Sequence, residues 1–127
     1  MERRRYRRIF FSMEDGPTAL FTHVRFSEEA VTATIMDMSI GGLGMTLKKD
    51  GNTFINIGDL LRLNEIRGLK NSQFLNNVEM EIRWIQNYDA LQHVLFGCEF
   101  TDISTETEEQ IQEFIDLWAD TVTGSSI

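Results

Sequence analysis

Apolar and polar positions alternate along most of this chain, and the period changes once, near residue 105. Residues 18–26 and 30–38 are rich in β-branched and aromatic side chains and flank the polar turn Ser27-Glu28-Glu29, a hairpin pattern. In the second segment Val31, Ala33 and Ile35 alternate with Thr32, Thr34 and Met36, the two-residue repeat of a strand. Residues 42–47 read as a third strand, turned by Lys49-Asp50-Gly51-Asn52, and a fourth is expected within residues 59–66. The polar stretch 68–77 reads as a loop. Residues 78–84 alternate cleanly, with Val78, Met80, Ile82 and Trp84 on one face and Glu79, Glu81 and Arg83 on the other. This places Trp84 in the core rather than stacked on a base. After the turn-like Asn87-Tyr88-Asp89, residues 93–100 form the last strand.

Beyond that point Ile111, Phe114, Ile115, Trp118 and Val122 recur at helical spacing. Thr105-x-x-Glu108 has the form of a capping box. Glu106, Glu108 and Glu109 crowd the helix start, where the macrodipole favours negative charge, and Gly124 offers a stop. Short strands followed by one amphipathic helix predict a mainly β fold, a small antiparallel barrel covered by a helix over residues 105–123. Asp15-Gly16-Pro17 is the strongest turn signal and contains the only proline. It divides an arginine-rich arm, residues 1–17, expected to be flexible and to bind ligand, from a single domain, residues 18–127.

Length and composition agree with one domain. A chain of 127 residues, 42% hydrophobic and one quarter charged, can bury a core without metals or disulfides. The single cysteine, Cys98, shares a strand face with Phe96 and Phe100, which predicts a buried, inert thiol in a reducing compartment. No stretch approaches the ~20 apolar residues of a membrane helix. Ile9-Phe10-Phe11 runs at once into Ser-Met-Glu-Asp-Gly, too short for a signal peptide core. These features predict a cytoplasmic protein with no membrane partner.

Charge sharpens the picture. Five of the 12 basic residues are Arg3, Arg4, Arg5, Arg7 and Arg8, so the first eight residues sum to +4 and the remainder to −12. An acidic body argues against general binding to a nucleic-acid polymer, which requires phosphate neutralisation over a broad basic surface, and so disfavours a nucleic-acid-binding barrel with a basic arm. One basic arm on such a body suits the local capture of a small anion. About thirty residues after the arm, Asp37-Met38-Ser39-Ile40-Gly41-Gly42 presents a carboxylate, a hydroxyl and a glycine turn at close spacing. Arginine forks onto phosphate oxygens, pairs bidentately with guanine O6 and N7, and stacks on flat rings. Asp37 and Ser39 can accept from guanine donors, while Gly41 and Gly42 permit close backbone approach.

Arg4-x-x-x-Arg8 together with Asp37-x-Ser39-x-x-Gly42 resembles the paired signature of PilZ domains, receptors for the second messenger cyclic di-GMP. Ile82-Arg83-Trp84, the strand Phe96-Gly97-Cys98-Glu99-Phe100 and the closing helix extend the resemblance over nearly the whole chain. The resemblance implies a six-stranded antiparallel barrel whose arginine arm folds over the nucleotide. It implies ligand contacts from Arg4, Arg8, Asp37, Ser39 and Gly42, with Gly41 beside them. Arg3 directly before the motif implies an intercalated pair of ligand molecules. An alternative register, Arg3-x-x-x-Arg7, also fits the spacing.

The residues suggest no other chemistry. Tyr6 could flank a guanine or be an exposed arm residue. His23 and His93 have no partners at metal-ligand spacing, and no nucleophile–base pair or phosphate-cradling loop is present, so neither an enzyme nor a cofactor is read. The expected function is a stand-alone cyclic di-GMP receptor acting through an effector protein, in motility, exopolysaccharide production or surface attachment. The alternative is a PilZ-like adaptor that binds a partner without nucleotide.

Overall fold

The computed structural model describes residues 7–12, 16–25, 29–48, 55–88 and 92–125. Among the described residues seven strands and one α-helix follow in order: β1 (Arg8–Phe10), β2 (Thr18–His23), β3 (Val31–Ser39), β4 (Gly42–Lys48), β5 (Leu60–Arg67), β6 (Val78–Tyr88), β7 (His93–Phe100) and α1 (Thr105–Ser125). Six of them close into an antiparallel ring, β3-β2-β5-β6-β7-β4, completed by the pairing of β4 with β3. Closure removes the sheet edges that an open sheet would leave exposed.

The alternation read from the sequence fills the barrel. Ala33, Ile35, Met45, Leu61, Leu63, Met80, Ile82 and Phe96 point inward and are essentially inaccessible to water. Phe21 and Phe96 meet edge to face at 6.1 Å, a favoured aromatic geometry. Cys98 is buried among them as expected, and burial pushes its thiol up to about 12.

Part of the amino-terminal segment forms a strand. Arg8–Phe10 forms a short strand outside the ring, antiparallel to β3, with Arg8 opposite Ser39 and Phe10 opposite Asp37. Burial of Ile9 anchors it. β1 and β2 occupy successive stretches of the same edge of β3, and the Phe11 N–H and Met36 carbonyl continue the pairing at 2.9 Å. Arg3 and Arg4 lie outside the described residues, as do Tyr6 and residues 49–52 of the anticipated turn.

Local corrections have simple causes. The loop at 68–77 contains a 3-10 turn, Gln73–Leu75, because Leu75 is fully buried and Ser72 Oγ donates to the Leu69 carbonyl. The helix cap is Ser104 rather than Thr105. Thr107 N–H donates to Ser104 Oγ and Glu108 N–H to the Ser104 carbonyl, each at 3.0 Å, the pattern of an N-cap. The helix runs past Gly124 to Ser125. Ile111 and Ile115 bury its inner face, and it lies against β1, β3 and the 3-10 turn.

Candidate nucleotide cleft

Two β-bulges build the site. On β3 the pairing with β4 slips between Ile35 and Asp37. On β6 the pairing with β7 slips between Ile82 and Trp84. A bulge adds one residue to one strand and so reverses the facing of every residue after it. Strict alternation would send Asp37 inward after Ile35 and Trp84 inward after Ile82. The bulges instead turn both to the outer face, and Trp84 is 44% exposed. The assignment of Trp84 to the core is therefore overturned.

The registers align these two residues across four strands. Asp37 faces Gly44, Gly44 faces Gly97, and Gly97 faces Trp84. The glycines leave room for these two side chains. A Cβ on Gly44 would lie 2.7 Å from Asp37 Oδ2, and one on Gly97 would collide with the Trp84 indole, including Cδ1 at 2.8 Å. A carboxylate thus lies over one glycine and an indole over the other. The cleft is about 500 Å³ and is lined also by Arg8, Gly41, Gly42, Arg83 and Glu99.

Arg8 and Asp37 form one wall, joined by a bond of 2.5 Å from the Arg8 guanidinium to Asp37 Oδ1. Arg83 forms the other, 3.3 Å from both Glu81 and Glu99. The neighbouring Arg7 points elsewhere and pairs with Asp116 of α1 at 3.2 Å. Of the two registers open in the sequence, Arg8 therefore enters the cleft and Arg7 reaches the helix.

The remaining motif residues serve the turn between β3 and β4. Ser39 is 2% exposed, and its Oγ accepts the Gly41 N–H at 3.2 Å. The Gly41 carbonyl accepts the Phe100 N–H at 2.9 Å, fastening the turn to β7. Gly42 needs space rather than an unusual φ: a Cβ there would drive into the Cys98 carbonyl group. Only Gly58 and Gly68 have positive φ among the described glycines. The structure thus brings Arg8, Asp37, Gly41 and Gly42 together at the cleft and sets Ser39 beneath it.

Sequence reasoning missed Trp84, Arg83, Gly44 and Gly97. The signals were present: the adjacent apolar pair Trp84-Ile85 breaks the alternation, and glycine inside a strand marks a bulge or a close approach. Elsewhere, His23 Nε2 lies 3.1 Å from Asp59 Oδ2, and no cluster of three metal-ligating side chains occurs among the described residues. No described helix is long and apolar enough to cross a membrane.

The fold has close neighbours among solved structures. The PilZ domain of YcgR from Escherichia coli with c-di-GMP superposes with a TM-score of 0.71 at 17% identity, covering 98% of both chains. The Bacillus subtilis inhibitor of motility MotI/DgrA gives 0.66 at 22% identity, over 94% of this chain and 52% of its own. The K. pneumonia MrkH–c-di-GMP complex gives 0.60 at 16% identity, over 99% of this chain and 55% of its own. This chain therefore spans the isolated YcgR domain and about half of the longer neighbours. No curated protein matches the sequence. The PilZ domain family model matches residues 2–117, nearly the full length, and the chain belongs to the PilZ family.

Proposed function

We propose that this protein is a cyclic di-GMP receptor that signals to a second protein. One observation carries the reading: Arg8, Asp37 and the exposed Trp84 converge on a single cleft with a glycine floor. Guanine is flat, with donors on one edge and acceptors on another. Asp37 offers a carboxylate to the donors. The indole offers a stacking face, a mode worth roughly 1–3 kcal/mol per base. Arg8 has five N–H donors, so it can keep Asp37 on one while forking onto phosphate or O6/N7 with others. Arg4 would supply the second guanidinium. The YcgR and MrkH neighbours are described with c-di-GMP, which favours the same ligand here.

Phosphates arriving in the cleft would neutralise the mutual repulsion of the clustered arginines and draw the arm onward from β1. This is an order–disorder switch driven by contacts that exist only in the bound state. Amides of residues 3–12 and 37–44 should gain hydrogen-exchange protection with ligand, while those of α1 change little. Arg3 adds a cation suited to the four charges of two intercalated ligands, so two per chain are expected, moving toward one in Arg3→Ala.

Calorimetric titration with cyclic di-GMP, beside GTP and cyclic GMP, tests the reading. Heat is expected with cyclic di-GMP alone. Folded protein that gives none at high micromolar ligand would sink the receptor assignment and leave the nucleotide-independent adaptor.

A further inference from the structure

The cleft has two charged walls, and the motifs account for only one of them, Arg8 with Asp37. The other is built by the bulge on β6. Ile82 pairs with Cys98 and Trp84 with Gly97, so Arg83 is the inserted residue, with no register partner on β7. An insertion lets two successive side chains share one face of a sheet. Ile82 is buried, while Arg83 and Trp84 are both exposed and both line the cleft.

Arg83 meets two carboxylates there. Glu81 and Glu99 are register partners on β6 and β7, an arrangement in which like charges repel. Arg83 bridges them, with Nη1 3.3 Å from Glu81 Oε2 and Nε 3.3 Å from Glu99 Oε1. The side chains of Arg83 and Glu99 are 55% and 56% exposed, and ion pairs so open to water contribute little to stability. A guanidinium carries five N–H donors, so donors beyond those two contacts are left for a ligand. Glu99 lines the cleft beside Arg83.

Each wall thus couples a guanidinium to a carboxylate, with Gly44 and Gly97 on the floor between. Guanine satisfies both groups at once: O6 and N7 accept from arginine, while N1 and N2 donate to a carboxylate. Adenine has a donor, N6, where guanine has O6, and an acceptor at N1. We infer that Arg83 and Glu99 recognise a second guanine beside the Trp84 indole, so that the cleft reads both bases of the cyclic dinucleotide. The inference rests on the cyclic di-GMP receptor reading and adds the source of its selectivity. A site built to pair two guanines rejects a hybrid in which one of them is adenine.

Calorimetric titration of wild type, Arg83→Ala and Glu99→Gln with cyclic di-GMP, and with the hybrid cyclic GMP–AMP of the same linkage, tests the assignment. The two ligands carry identical phosphates and differ in one base. Wild type should prefer cyclic di-GMP at least about tenfold. Arg83→Ala should lose about tenfold for cyclic di-GMP but less than about threefold for the hybrid, whose adenine makes no use of this wall, so the preference collapses. Glu99→Gln should also weaken cyclic di-GMP. Both side chains are exposed, so thermal melts of the variants should stay near wild type. Equal losses for the two ligands in Arg83→Ala would reduce Arg83 to a screen between the glutamates and phosphate. Tighter cyclic di-GMP in Glu99→Gln would mean that Glu99 only repels phosphate. Either result, or a wild type without preference, overturns the inference and leaves the receptor reading in place. A folded wild type that gives no heat with cyclic di-GMP instead sinks the receptor reading, and this inference with it.

Discussion

Replacing Gly42 with alanine is expected to damage the fold rather than the cleft. The new Cβ would enter the Cys98 carbonyl group, with the carbonyl carbon 2.9 Å away and Glu99 Cα at 3.0 Å. All of these are backbone atoms of β7, so no side chain can swing aside. Relief requires β4 and β7 to separate where Gly42 pairs with Glu99, at the end of a ladder running to Lys48 and His93. Overpacking of this kind costs about 1–3 kcal/mol. A ladder hydrogen bond lost with it adds about 1 kcal/mol. A total near 3 kcal/mol is a large part of the 5–15 kcal/mol typical of a domain. For a chain of this size it corresponds to a fall in Tm of about 10 °C. Gly97→Ala is the matched control. The three atoms nearest its Cβ all belong to the Trp84 indole, a side chain 44% exposed that can yield where backbone cannot, so Tm should fall by less than in Gly42→Ala, by no more than about 3 °C. Calorimetric or circular-dichroism melts decide the matter. Gly42→Ala melting with wild type, or Gly97→Ala melting lower than Gly42→Ala, would refute the reasoning.

Removing either charged partner in the cleft, in Arg8→Ala or Asp37→Ala, should weaken cyclic di-GMP at least about tenfold by calorimetry, with far-ultraviolet dichroism unchanged. Trp84→Ala should lower affinity similarly and leave Tm nearly in place; a wild-type dissociation constant would remove Trp84 from the site. Ser104→Ala should cost about 1 kcal/mol in urea unfolding and Thr105→Ala much less, because the cap bonds come from Ser104. Cys98 should resist iodoacetamide at pH 8 until the protein is unfolded. Its folded pKa lies above the unfolded one, so its contribution to stability is complete below about 9 and is lost as pH rises toward 12. Alkylation of native protein at the rate of a free thiol would show that Cys98 is accessible.

The barrel was legible because most of its strands obey one rule, alternation, and the helix obeys another. Cleft residues were legible only where a motif named them. Asp37 was found through its motif, whereas Trp84 was hidden by the alternation itself; each sits just past a bulge that reverses its facing. A bulge arises from the fit of two strands distant in sequence, and neither strand alone discloses it. Ser39 and Gly42 were visible as motif members, but their work is to fasten the turn, a role set by Gly41 and by the Cys98 carbonyl across the sheet. Ser104 was passed over because Thr105, with Glu108 three positions on, has the form of a capping box, while Ser104 is followed at that distance by Thr107.

The six-stranded ring closes without β1. That strand can consequently come away while every ladder of the ring stays intact, which makes it a cooperative unit of its own. Holding it are the burial of Ile9, about 2 kcal/mol, a few backbone hydrogen bonds near 1 kcal/mol each, and the partly exposed Arg8–Asp37 pair. Against them stands the ordering of three residues at about 1–2 kcal/mol apiece. The balance is a few kcal/mol, well below the free energy of unfolding a whole domain. Selection can therefore tune the detachment of β1, and with it the threshold at which a ligand takes hold of Arg8, without touching the stability of the barrel.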